Sequence, residues 1–128
     1  MGLFHYHDIG HAEIFAFDDF FVKQIKASVV ITKEHNKVLK AFIKKHYNTR
    51  NVAYISNRIV SYSVDPLVYK EAEKIPSLVA IAVIPGDENM RANAEFERQF
   101  YDRPFGIFDN LTKAMKWAQT IINEENKK

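Results

Sequence analysis

Apolar positions along the chain switch repeatedly between a period of two and a period near 3.6. Residues 3–9 and 12–17 are rich in aromatic and β-branched side chains and are separated by Gly10. Asp18-Asp19 interrupts the run before Phe20-Phe21-Val22-Lys23-Gln24-Ile25, where strand propensity returns. This region predicts an antiparallel opening hairpin, with residues 29–31 extending it or bridging to the next element. Thr32 is suited to cap a helix starting near Lys33, because a hydroxyl accepts from an unpaired N–H of the first turn. Val38, Leu39, Phe42 and Ile43 then form an apolar stripe opposed by Lys33, Lys37, Lys40 and Lys44, which is a helical period. Residues 51–56 predict a strand, and Asp65-Pro66 supplies a cap and an N1 proline for a short helix over 67–73.

Residues 78–84 read LVAIAVI, apolar at every position and closed by Pro85-Gly86. A run without polar alternation predicts a strand covered on both faces, the best candidate for the centre of a sheet. A helix over 88–101 follows, with Phe96 and Phe100 four residues apart, then a short strand over 105–108. Asn110 caps a final helix whose stripe is Leu111, Ala114, Met115, Ala118, Ile121 and Ile122. The order is β-β-α-β-α-β-α-β-α. Strands alternating with helices favour a largely parallel section, the opening hairpin makes the sheet mixed, and the class is α/β with helices packed on the sheet. No repeat, low-complexity tract or Gly/Ser linker divides the chain, so residues 1–122 form a single domain and 123–128 a polar C-terminal tail.

This order resembles the STAS family, the fold of bacterial anti-sigma-factor antagonists, and within it the sporulation anti-sigma-factor antagonist-like branch. The likeness is carried by the strand over 78–84 and by Glu95-Phe96-Glu97-Arg98-Gln99-Phe100. It continues through Phe105-Gly106-Ile107-Phe108-Asp109-Asn110 and Ala114-Met115-Lys116-Trp117-Ala118. It spans nearly the whole chain by topology and residues 50–122 by motif, and the motifs concern packing. The resemblance implies a non-enzymatic regulatory or interaction module. In phosphoregulated STAS proteins a switch serine lies between the third strand and the next helix, in an Asp-Ser-Ser/Thr-Gly signature. The equivalent stretch, residues 56–66, has Ser61 and Ser63 near that place but lacks the signature and any glycine.

Composition narrows the functional classes. A chain of 128 residues, 47% hydrophobic, is long enough for one buried core. The absence of cysteine excludes disulfides, CxxC redox chemistry, cysteine-bound zinc and a thiol nucleophile. No apolar run approaches the ~20 residues that span a bilayer, and the N-terminus lacks a signal-peptide pattern, which points to a cytoplasmic address.

His5, His7 and His11, with Asp8, are the densest local hint of metal chemistry. His5 and His7 share a face on a regular strand, but Asp8 points to the other and no fourth ligand is nearby, so edge-strand surface histidines are the simpler account. Charge is uneven: 23–50 carries eight basic residues against Glu34 alone, and the remainder carries ten basic against fifteen acidic. Nucleic acid, an anionic membrane or an acidic protein would suit such a face. However, a lysine stripe opposite an apolar one is the ordinary solvated side of an amphipathic helix, and no arginine or aromatic interleaving accompanies it.

Arg58, Ser61, Tyr62, Ser63 and Asp65 cluster before the second helix. Loops leaving the carboxyl ends of strands form the usual crevice of open α/β folds, so these residues are candidates for a protein partner, phosphate or carboxylate. The plain alternative is an Asp65 cap with hydroxyls bonded to local backbone. Pro85-Gly86-Asp87-Glu88 is no phosphate loop, since its acids would repel phosphate while suiting a helix N-terminus. Glu95 and Glu97 fall on different sides of a helix, and no GxSxG elbow is present. Nine of the ten phenylalanines, all but Phe4, and Trp117 could enclose a lipophilic ligand, though such residues more often fill a core.

The expectation is therefore a non-enzymatic module that presents residues 57–65 and the adjoining helix surface to a protein partner, without cofactor, nucleic acid or membrane insertion. The exposed opening strand is the place where a homodimer would pair. The alternative is a carrier or sensor holding an apolar or anionic small molecule between sheet and helices. A metal enzyme built on the N-terminal histidines ranks last.

Overall fold

The structure is a computed structural model, and it describes residues 4–26, 30–32, 34–58 and 63–128. Six strands form the main sheet: β1 (His5–Asp8), β2 (Ala12–Ala16), β3 (Phe20–Ile25), β5 (Val52–Arg58), β7 (Leu78–Pro85) and β8 (Phe105–Ile107), in the spatial order β1-β2-β3-β5-β7-β8. A second, two-stranded sheet pairs β4 (Val30–Ile31) with β6 (Ser63–Val64). The helices are α1 (His35–Tyr47), α2 (Leu67–Ala72), α3 (Glu88–Arg98) and α4 (Leu111–Asn126).

The mixed α/β domain expected from the sequence is present, with more strands than the nine-element order. The opening is a three-stranded antiparallel meander, because both of its breaks make tight turns. Gly10 adopts φ +94, a left-handed conformation that glycine takes without steric cost, and Phe17 N–H bonds the Phe20 carbonyl across Asp18-Asp19 at 2.8 Å. From β3 onward every pair is parallel: β3 with β5, β5 with β7, and β7 with β8. Strands β4 and β6 lie in the connections that lead into α1 and α2 and pair parallel to each other. Strand β4 falls within the stretch 29–31 that the sequence reads as an extension or a bridge to the next element, whereas the two residues of β6 carry no readable period.

The strand at 78–84 is covered on both sides, with every residue from Leu78 to Ile84 buried. Leu78, Ile81 and Val83 join a core with Leu39, Ile43, Val68 and Ala94 from α1, α2 and α3. Val79, Ala80, Ala82 and Ile84 join the opposite core under α4. A register shift at Val52/Ala53 lets Val79 and Ala80 both face α4. On that side Ala53, Ala80 and Ala82 of the sheet meet Ala114 and Ala118 of α4, all fully buried.

Several element ends differ from the sequence reading. Lys33 lies outside the described residues, and α1 starts at His35 with no side-chain cap. In place of a Thr32 hydroxyl cap, the Thr32 N–H donates to His35 Nδ1 at 3.0 Å. Val38, assigned to the apolar stripe, is exposed. Helix α3 stops at Arg98, leaving Phe100 outside it, and α4 runs through Asn126, so the first residues of the polar stretch 123–128 are helical. Two caps follow expectation: Asp87 Oδ1 accepts from Met90 N–H at 2.8 Å, and Asn110 Oδ1 from Lys113 N–H at 2.9 Å.

Candidate functional site

Helices α1 and α2 do not close completely on the sheet. Between them and the carboxyl ends of β3, β5 and β7 lies a cavity of about 40 Å³. Its apolar wall includes Ile31, Leu39, Val68, Ile81 and Val83, and its polar lining is Lys23, Asn36, Tyr54, Ser56, Arg58 and Tyr69. Strand alternation explains the polar set. Phe21, Lys23 and Ile25 share one side of β3, and Tyr54, Ser56 and Arg58 share the same side of β5, with Lys23 directly opposite Ser56 in the parallel register.

Lys23 is only 3% exposed. Its ammonium stands 5.6 Å from the centre of the Tyr54 ring, and it makes no hydrogen bond or ion pair among the described residues. Burial alone pushes its pKa down to about 8, because the charged form loses its hydration.

Arg58 is in the opposite condition. It is 5% exposed and makes a two-pronged ion pair with Glu97 of α3, which is equally buried, with Nη1 to Oε2 at 2.9 Å and Nη2 to Oε1 at 2.5 Å. The Tyr69 hydroxyl of α2 donates to Glu97 Oε1 and lies 3.3 Å from Arg58 Nη2. Burial first, then the Glu97 charge, raises the Tyr69 pKa well above that of a free phenol, so the hydroxyl keeps its proton. Sheet, α2 and α3 are thus joined at one point by charge and hydrogen bonds.

The loop cluster separates into different roles. Arg58 is buried and lines the cavity, with Nη1 and Nη2 held by Glu97. Ser61 and Tyr62 lie outside the described residues. Ser63 opens β6 and its backbone pairs with Val30. Asp65 takes the plain role, its Oδ1 accepting from Leu67 N–H at 3.0 Å while its own N–H bonds the Ile31 carbonyl at 2.8 Å.

The N-terminal histidines do not converge. His7 packs against His46 and Phe42 of α1 with ring centres 4.4 and 5.2 Å away, His11 packs against His35 at 4.3 Å, and His5 is exposed. Asp8 instead pairs with Lys26 at 3.1 Å. Among the described residues no three His, Asp or Glu side chains are placed to share a metal ion. The aromatic set is also split: Phe15, Phe17, Phe20, Phe108 and Trp117 pack on the α4 side, while Phe21, Phe42, Phe100 and Phe105 pack on the other. Phe96 is exposed against Phe100, so the phenylalanines surround no common ligand.

Sequence reasoning missed Lys23 and the Glu97–Tyr69 partners of Arg58. Lys23 belongs to the basic run by charge, but its place two residues from Phe21 and Ile25 on a strand is the signal that it shares their buried side.

No family model and no curated protein sequence matches the chain. Among solved structures it is similar to an uncharacterized protein of the DUF3478 family with a SpoIIAA-like fold from Shewanella loihica PV-4. The match has a TM-score of 0.52 and 15% identity, and covers 92% of this chain and 97% of that one. Together with the strand order, it gives this chain the SpoIIAA-like, and hence STAS-like, fold.

Proposed function

We propose that this chain is a non-enzymatic, cytoplasmic STAS-like module that holds a small molecule between the sheet and helices α1 and α2, as a carrier or sensor. The observation that supports this reading is the cavity at the carboxyl ends of the parallel strands, the usual ligand position in open α/β sheets. Its mixed lining, a largely apolar wall with a few polar groups from separate elements, is the composition of a ligand site. Native mass spectrometry of gently purified protein is the test. A bound small molecule released by Leu39→Trp, which fills the cavity, supports the reading. Protein that is empty and whose melting temperature no small-molecule panel raises would refute it.

Regulation through a protein partner is the second reading, favoured by the β4–β6 ribbon beside the cavity. Val30 on the ribbon and Leu67, which opens α2 just after β6, are each 59% exposed. Loss of a partner on Leu67→Glu, with the fold intact by circular dichroism, would support that reading over a carrier role.

A further inference from the structure

We propose that the cavity under α1 and α2 is a site for a small organic monocarboxylate, held by an ion pair between its carboxylate and Lys23 and by contact of its carbon chain with the apolar wall. This rests on the pocket reading above and names the class of ligand.

The argument begins with charge. Three ionised groups are buried on this side of the sheet, Lys23, Arg58 and Glu97. Arg58 and Glu97 neutralise each other through two hydrogen bonds, leaving one positive charge without a counter-ion among the described residues. Among the described residues, this buried ammonium beside the Tyr54 ring and the cavity lacks the ionic partner that buried charges ordinarily have. One monovalent anion completes it; a dianion would leave a buried negative charge of its own.

Size and polarity give the rest of the ligand. At about 40 Å³ the cavity has room for roughly three water-sized groups, a carboxylate with a very short chain. Ile25, Ile31, Leu39 and Val68 line it and suit carbon better than water or an inorganic oxyanion.

The charged and titratable surroundings of Lys23 are Tyr54 and Arg58 on β5, His11 before β2, His35 on α1, Tyr69 on α2 and Glu97 on α3 behind Arg58. Burial, Lys23, His35 and Lys26 together hold the His11 pKa down to about 4, so His11 is neutral at physiological pH. Lys23 is therefore the group whose titration controls the anion across the alkaline range.

The test is calorimetric or NMR titration of the whole chain at pH 7 with sodium propionate, its neutral analogue propionamide, and sodium chloride. Propionate is expected to bind saturably, propionamide at least tenfold more weakly, and chloride not to compete. Propionate affinity should fall about tenfold from pH 7 to pH 9, as Lys23 loses its proton near pH 8. Lys23→Met should abolish propionate binding; the comparison of propionate with propionamide on the unaltered chain stands even where that variant does not fold. Equal binding of propionate and propionamide would overturn the carboxylate inference and leave the pocket reading in place. Equal competition by chloride would overturn it in favour of an inorganic anion. Absence of saturable propionate binding at millimolar concentration would overturn it as well, and a different co-purified molecule would then keep the pocket reading alive.

Discussion

Glu97 of α3 receives both terminal nitrogens of Arg58, at the last position of β5, and no other ion pair among the described residues is as deeply buried. Two charges withdrawn from water together are tolerable, whereas one left alone is costly. Glu97→Gln should therefore destabilise the domain by about 3–5 kcal/mol, measured as urea unfolding at pH 7. A double replacement, Arg58→Met with Glu97→Leu, should recover most of that loss, because it removes both desolvated charges.

Lys23 bears on stability with the opposite sign. Its pKa falls from the ordinary 10.5 to about 8 on folding, so between those values the unfolded chain binds more protons and stability rises with pH. Below about pH 8 the full penalty is present, on the order of 3 kcal/mol. Ligand-free Lys23→Met should be more stable than the parent chain at pH 7 by roughly 1–3 kcal/mol. The urea midpoint of the parent should climb from pH 8 to 10, and that of the variant should not.

Acid acts through His11. Its pKa is depressed to about 4 by burial first and then by Lys23, His35 and Lys26, against an ordinary 6.5. The native state resists protonation, so stability is complete above about pH 6.5 and is lost as pH falls toward 4. His11→Gln should flatten thermal unfolding against pH in that window. His46 is depressed by burial and by His7 and contributes with the same sign.

Gly86 tests the coupling of the β5 and β7 ends. A Cβ there would come within 2.6 Å of the Arg58 carbonyl oxygen, a backbone atom that cannot turn aside. Gly86→Ala should cost about 1–3 kcal/mol by overpacking. Since Arg58 must shift, its effect should combine non-additively with Glu97→Gln in a double-mutant cycle.

The sequence made some of this legible because period and caps are local. The uninterrupted run from Leu78 to Ile84, the Asp87 and Asn110 caps and the α4 stripe each announce themselves within a few residues. The pocket is not local. Lys23, Arg58 and Tyr69 line it from three elements, with Glu97 joined to Arg58 from a fourth, and they are assembled only through strand register and helix packing. The same residue types read singly look like a solvated lysine, a loop arginine and a helix-surface glutamate. Residues 59–62 of the predicted loop lie outside the described residues; of the rest, Ser63 pairs with Val30 and Asp65 caps the turn into α2.

The alanine seam beneath α4 has a consequence for how this domain can diversify. Where methyl groups face methyl groups, any larger side chain collides at once with main chain, so that half behaves as a fixed floor. Change in the volume of the cavity is confined to the ceiling formed by α1 and α2, where Leu39, Val68 and Ala72 can exchange volume against empty space.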